Sequence, residues 1–269
     1  MSMGMAGYQP PPHMVETLQD YYSEILEYYD ELFPFDEAQL AFFRALQQEQ
    51  GKRIAAGTAP LVRFLGIACA TGNLENKLSG PGIDITGIDR NAQMVETAKR
   101  RMKRGFSTTR FFEMSTLDMA RYLKKGSFHI IASVDNFLPY IGDETLIRKF
   151  FHDARVLLAP GGTLVAETFN FDSISPGKVI RLPDQSSLRV TLKRALIPDA
   201  NESYFLDASL ELGNGRKIAL QKGTAVIPLT TEKIERFARE SGFSSVSFAG
   251  SFSGSPWSPE SLKTVVTLS

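Results

Sequence analysis

The stretch from Phe64 to Glu75 reads Phe-Leu-Gly-Ile-Ala-Cys-Ala-Thr-Gly-Asn-Leu-Glu, with small residues at 66, 68, 70 and 72. Small side chains after a buried strand let a ligand lie against the backbone. A helix opening just behind them offers free N–H groups and a partial positive charge. Seventeen residues after Gly72 stands Asp89, ending a second strand-like run, Asp84-Ile-Thr-Gly-Ile88. An ionised Asp there has two acceptor oxygens suited to the diol of a ribose. A plain strand–turn–helix unit with Asn91 as helix cap uses the same residue types. The turn and the correctly spaced Asp together favour nucleotide-type binding.

A second polar pair, Asp135-Asn136, follows the apolar run Phe128 to Val134. In open α/β sheets ligands sit at the C-terminal strand ends. Asp135 is therefore a candidate proton acceptor, Asn136 a candidate orienting group, and Tyr140 a further polar contact. A polar turn ending a strand is the plain alternative.

These residues need elements to carry them. Residues 61–172 alternate strand and helix: strands at 61–67, 84–88, 110–113, 128–134 and 163–168, helices at 73–79, 91–104, 117–123 and 143–158. That alternation predicts a parallel sheet with helices on both faces. Before it, Val15, Leu18, Tyr22, Ile25, Leu26 and Tyr29 recur at helical spacing, Pro34 interrupts, and a second helix starts near Glu37. After it, residues 176–228 read as three or four antiparallel strands joined by turn residues such as Gly213-Asn214-Gly215. A closing helix at 231–241, capped by Thr230 or Thr231 and ended by Gly242, leads to strands near 244–248 and 263–268.

Composition narrows the function classes. Thirty basic and thirty acidic residues cancel, which argues against a nucleic-acid or anionic-membrane binder. Cys69 is the single cysteine and the three histidines are scattered, so no disulfide and no metal site is expected. No apolar run reaches the roughly 18 residues of a membrane span. The expected setting is soluble and cytoplasmic. The basic run Lys99 to Arg104 reads as helix-end charge complementing the macrodipole.

Five ordered stretches, Phe64 to Asn73, Gly87 to Arg90, Leu117-Asp118-Met119, Val134 to Tyr140 and Leu158 to Gly162, resemble the motifs of class I S-adenosylmethionine-dependent methyltransferases. The resemblance implies a Rossmann-like α/β fold, a doubly wound and mostly parallel sheet. It would comprise a helical N-terminal cap (1–60), a cofactor-binding core (61–175), an antiparallel β insert (176–228) and closing elements (229–269). It implies S-adenosyl-L-methionine as cofactor. The turn carrying Gly66, Ala68, Cys69, Ala70, Gly72 and Asn73 would hold the methionyl part, Asp89 with Arg90 the ribose, and Asp118 the adenine, flanked by Met94 and Met119. In this family an N-terminal helix folds over the cofactor. Tyr22 and Tyr29, seven apart and on one face, would then offer a cation–π attraction of about 0.5–2 kcal/mol to the sulfonium. A packed amphipathic helix is the plainer reading of the same tyrosines.

The turn departs from the family pattern. Gly66 stands where an acid is common, and Ala68 and Ala70 where glycines are common. Alanine tolerates positive φ poorly, so the turn is expected to use ordinary backbone angles, with Asp135 or Asn136 replacing the lost acid at the cofactor's amino group. Glu167 to Asp172 resembles the matching stretch of glycine- and sarcosine-type N-methyltransferases, but Phe169 stands where their carboxylate-binding Arg would be. A glycine-like acceptor is disfavoured unless Arg181 or Arg189 reaches the pocket; Asn170 borders it. The expected acceptor is a small molecule, an amine ahead of a hydroxyl. The insert would form one wall of its pocket, with a homodimerisation sheet as the alternative. The segment 250–261 would form a rim, with Trp257 either flanking the pocket or resting on the body. Cofactor binding without turnover and a nicotinamide dehydrogenase are the rival functions.

Overall fold

A computed structural model describes residues 21–54, 61–102, 108–199 and 203–269. Val15, Leu18, Lys103, Arg104 and part of the 198–201 turn lie outside the described residues. Residues 21–25 are helical and pass through a 3-10 turn into α1 (Tyr29–Leu32), and α2 (Glu37–Ile54) follows Pro34. The core then runs β1 (Val62–Ile67), α3 (Asn73–Leu78), β2 (Ile83–Asp89), α4 (Ala92–Arg100), β3 (Thr108–Glu113), α5 (Met119–Tyr122), β4 (Phe128–Ser133), α6 (Glu144–Leu157) and β5 (Leu158–Phe169).

The central sheet has the order β11-β12-β5-β4-β1-β2-β3. β1 pairs in parallel with β2 and with β4, and β3 and β5 extend the sheet in parallel on either side. β12 (Lys263–Leu268) returns antiparallel against β5, and β11 (Val246–Ala249) against β12. Strand order reverses between β1 and β4. The connections therefore diverge there and leave a crevice above both C-terminal ends. The strands are apolar on both sides, as a sheet covered on both faces requires. Val62 and Phe64 pack with Leu40 and Phe43 of α2. Leu65 and Ile67 face the opposite core, which contains Phe150 and Phe151 of α6.

Residues 176–228 form a second sheet of β6 (Ile180–Arg181), β7 (Gln185–Ser186), β8 (Val190–Pro198), β9 (Tyr204–Leu212) and β10 (Lys217–Val226), antiparallel throughout. Leu192, Leu196, Leu206, Ala208 and Leu210 alternate onto one face, which joins the larger core. Two links fix this sheet beside the crevice. The Ile227 amide donates to the Pro139 carbonyl at 3.0 Å, and Arg189 pairs with Glu27 and Glu31 near α1. The closing helix α7 (Thr231–Glu240) is capped by Thr230, whose hydroxyl accepts the Lys233 amide.

Three boundaries differ from expectation. β5 begins at Leu158, because the chain leaves α6 directly into strand geometry through Pro160 and Gly161. β3 starts at Thr108. α4 stops at Arg100, and Arg101 turns to pair with Asp30 in α1.

Phe111 of β3 explains two glycines. Its ring lies so close that an added Cβ would fall 2.8 Å from it at Gly72 and 2.5 Å at Gly87. Gly72 also has φ +70 and would meet the Ala98 Cβ at 2.7 Å. Overpacking and a left-handed angle add, so Gly72→Ala is expected to destabilise by about 2–4 kcal/mol. A thermal melt should show this as a fall of several degrees.

Candidate active site

The turn after β1 is held from below by β2. The Cys69 amide donates to the Ile88 carbonyl at 3.0 Å, and the Ala70 amide to Asp89 Oδ2 at 2.9 Å. The other Asp89 oxygen accepts the Asn91 amide at 2.8 Å. These anchors turn the backbone sharply, and Ala68 (φ 52) and Ala70 (φ 46) are both left-handed. The expectation of ordinary angles at the two alanines is thus corrected. The hydrogen bonds override a penalty of about 1–2 kcal/mol per residue. Burial pushes the Asp89 carboxyl up, against the pull of its backbone donors.

The space beside Gly66 is filled by a neighbouring acid. A Cβ built on Gly66 would lie 1.9 Å from Glu75 Oε1. The Glu75 side chain, in the first turn of α3, occupies the space that a residue at 66 would claim. It is 3% exposed. Burial pushes its carboxyl up to about 8. Its own backbone amide opposes that rise, and the charges of Asp135 and Asp89 add to it. The expected substitutes, Asp135 and Asn136, are therefore not the only candidates for this role. Burial and the charges of Glu75 and Asp89 also raise the Cys69 thiol, keeping it a neutral packing group.

The cap is latched onto the turn through Asp30. Its Oδ1 accepts Thr71 Oγ1 at 2.7 Å and Asn73 Nδ2 at 2.8 Å, while Oδ2 pairs closely with Arg101. Desolvation opposes the Asp30 charge, but the Arg101 and Thr71 hydrogen bonds prevail and hold its carboxyl below the usual range. Ser23 accepts Asn91 Nδ2 at 3.0 Å, a second link between cap and core. Tyr22 and Tyr29 lie edge to face, 6.3 Å between centroids. Burial raises both phenols well above their usual value.

At the tip of β4, Asp135 (φ 58) and Asn136 (φ 62) are also left-handed. The Asp135 amide donates to Glu167 Oε2 at 3.2 Å, and Glu167 Oε1 lies 2.6 Å from Lys263 Nζ. Asp135 lines the cavity and its side chain is exposed to that space. Desolvation there raises its carboxyl to about 7, helped by the Glu167 charge and opposed by Lys263.

The crevice is a cavity of about 490 Å³. Its walls include Ala68, Cys69, Ala70, Asn73 and Glu75 from the turn, Tyr29 and Phe33 from the cap, and Asp135 and Asn136 from the β4 tip. Phe169, Asn170 and the 260–263 rim close one side, and Ile180, Arg181, Leu182 and Arg194 of the insert close another. Arg189 instead points to Glu27 and Glu31. Trp257 rests on the body, bonded to Thr264 and packed on Phe248. Asn170 fixes the rim, donating to the carbonyls of Ser258, Pro259 and Ser261.

Other expected residues stand outside the cavity wall. Tyr22, Gly66 and Gly72 lie behind it, and Asp89 and Arg90 end the neighbouring strand. Met94 and Met119 are fully buried in the larger core, and Asp118 is exposed. Tyr140 and Tyr21 are buried and hydrogen-bond Arg194, whose guanidinium stacks 5.3 Å from the Phe33 ring. Glu75, Arg194, Asp30 and the Glu167–Lys263 pair were not singled out from sequence. Only Glu75, nine residues after Gly66, carried a signal: an acid close in the chain to the place that lacked one. Among the described residues no three His, Cys, Asp or Glu side chains cluster for a metal ion, and no helix is long and apolar enough to cross a membrane.

Residues 64–162 match the family model described as a methyltransferase domain. A Geobacillus sp. (strain WCH70) protein, provisionally named a methyltransferase, is 25% identical over 170 residues, which cover 61% of this chain and 65% of that protein. The chain thus spans just under two thirds of that relative's length. Two solved structures share the fold. One is an S-adenosylmethionine-dependent methyltransferase from Clostridium acetobutylicum, with TM-score 0.69 and 15% identity over 92% of this chain and 98% of that one. The other is the sugar N-methyltransferase KedS8 from Streptoalloteichus, with TM-score 0.62 and 15% identity over 99% and 98%.

Two outcomes follow from the turn. Ala70→Gly relieves a left-handed alanine, which outweighs the added freedom of the unfolded chain of about 0.4–1 kcal/mol. Urea unfolding should find the variant as stable as the parent or more so. Glu75 holds its proton to about 8 in the folded chain against 4.5 unperturbed. Its stabilising contribution is therefore complete below pH 4.5 and is lost as pH rises through about 8. The neutral isostere Glu75→Gln should melt higher than the parent at pH 8.5 without ligand, with the difference closing by pH 5.

Proposed function

We propose that this chain, whose residues 64–162 match a methyltransferase-domain model, uses S-adenosylmethionine to methylate the nitrogen of a small-molecule amine, with amino sugars the first class to test. The observation that carries this reading is Asp135. It is a carboxyl raised to about 7, at the β4 tip, inside a cavity that the turn, the cap and the insert enclose together. An amine arrives largely as its ammonium ion and must lose a proton before it can attack. A carboxylate of that basicity accepts this proton near neutral pH, whereas a sugar hydroxyl would need a stronger base.

The residues fit the cofactor. Glu75 is a buried carboxyl, and among the described residues it has no cation of its own. A ligand bearing an ammonium and a sulfonium supplies one. Asp89 accepts the Ala70, Asn91 and Arg90 amides, and its remaining acceptor capacity would take a ribose hydroxyl. Asp118, with Met94 and Met119 beneath, would border the adenine. Bound there, the cofactor supplies an electrophilic methyl group on sulfur.

This chain's own residues do the rest. The turn and Tyr29 orient the cofactor, Asn136 orients the acceptor, and the cap and insert exclude water. Holding two reactants in line can supply about 7–11 kcal/mol of the barrier. Ile180, Leu182 and Arg194 in the cavity wall support the insert as an acceptor wall. Phe169 puts an apolar face where the glycine-type enzymes are expected to carry their clamp, but Arg181 and Arg194 of the insert both line the cavity, so amines bearing a carboxylate belong in the acceptor panel.

Transfer of a labelled methyl group from S-adenosylmethionine to an amine panel, amino sugars included, tests the reading. Labelling of hydroxyl acceptors with no labelled amine would refute it. Asp135→Asn is expected to lower kcat by about 10²–10⁴, while S-adenosylhomocysteine affinity stays within about threefold. In the parent enzyme the rate should rise with pH through about 7, as Asp135 loses its proton, and the variant should lack that limb.

A further inference from the structure

Gly66 and Glu75 form one interlocked pair. The glycine leaves a hollow at the end of β1, and the Glu75 carboxylate fills it so closely that no side chain at 66 could coexist with it. The acid is more than nine-tenths buried yet borders the cavity.

Of the neighbouring acids Asp135 is left for the acceptor at the β4 tip, and the others are already engaged. Asp89 accepts the Ala70 and Asn91 amides, Asp30 is paired with Arg101, and Glu167 with Lys263. Glu75 accepts only its own backbone amide, and no ion pair reaches it among the described residues. Burial without a counterion disfavours the ionised form, so the acid holds its proton to about 8 until a cation arrives. Its free lone pairs call for a donor as well as a charge. A sulfonium has no N–H to give; an ammonium has three.

We propose that Glu75 of helix α3 binds the α-ammonium group of the cofactor's amino-acid end, with Gly66 as the gap that admits its side chain. This rests on the methyltransferase reading and adds a residue to it. The side chain that fills the place at the strand end arrives from nine residues further along the chain. Glu75→Gln preserves the shape and removes the charge.

Calorimetry on the full chain at pH 7.5 tests this, with S-adenosylhomocysteine and with 5′-methylthioadenosine, which lacks the amino-acid end. Glu75→Gln is expected to weaken S-adenosylhomocysteine at least tenfold and to leave 5′-methylthioadenosine within about twofold. Unchanged S-adenosylhomocysteine affinity overturns the assignment. Equal weakening of both ligands also overturns it, because it assigns Glu75 a purely structural role. A parent protein that binds neither nucleoside overturns the cofactor reading itself, an outcome distinct from the other two.

Discussion

The floor of the crevice rests on the hydrogen bond from the Ala70 amide to Asp89. It ties the tip of β2 to the turn after β1 and demands left-handed backbone at Ala68 and Ala70. That bend sets where α3 begins, and so where Glu75 meets the hollow of Gly66. Two alanines in an unfavourable conformation persist because a buried carboxylate must keep its amide donors. Releasing them would leave a desolvated charge with too few partners.

Above this floor the roof is assembled from distant parts of the chain. Asp30 joins the cap to Thr71 and Asn73, and Arg189 joins the insert to Glu27 and Glu31. The Arg189 contacts are exposed and individually weak. Their shared feature is placement, since they hold α1 between the turn and the insert. Arg194 extends the same idea inward, bonded to Tyr21 and Tyr140 while facing the cavity. Tyr140 thus supports the wall through Arg194 and is not part of the lining.

Acids and bases both line the crevice, but the acids gather at the strand tips. Burial raises the carboxyls of Glu75, Asp89 and Asp135, and the like charges of Asp135 and Asp89 raise Glu75 further. Lys263 neutralises Glu167 and moderates Asp135. A cationic ligand relieves this repulsion, and a proton acceptor near neutrality is what remains at the β4 tip. On the proposed reading, the methyl donor's ammonium and the acceptor's proton fall to different carboxylates.

The order of strands and helices, the antiparallel insert, the paired tyrosines and the acid ending β2 were all legible in the sequence. Hydrophobic periodicity and turn residues are local signals, and they survive folding because burial on a sheet or helix face depends on spacing alone. The conformation of the turn was not legible, since alanine's preference for negative φ was overruled by Asp89, nineteen residues away from Ala70. Nor was the identity of the acid at the end of β1, which depends on a side chain reaching across a turn into a hollow. Arg194 and the Asp30 latch act through contacts between segments far apart in the chain. The sequence by itself determined the sheet, its switch point and the candidate residues at the strand tips. Tertiary structure alone decided which carboxylates keep a counterion and which await one, because desolvation and ion pairing are properties of the assembled crevice.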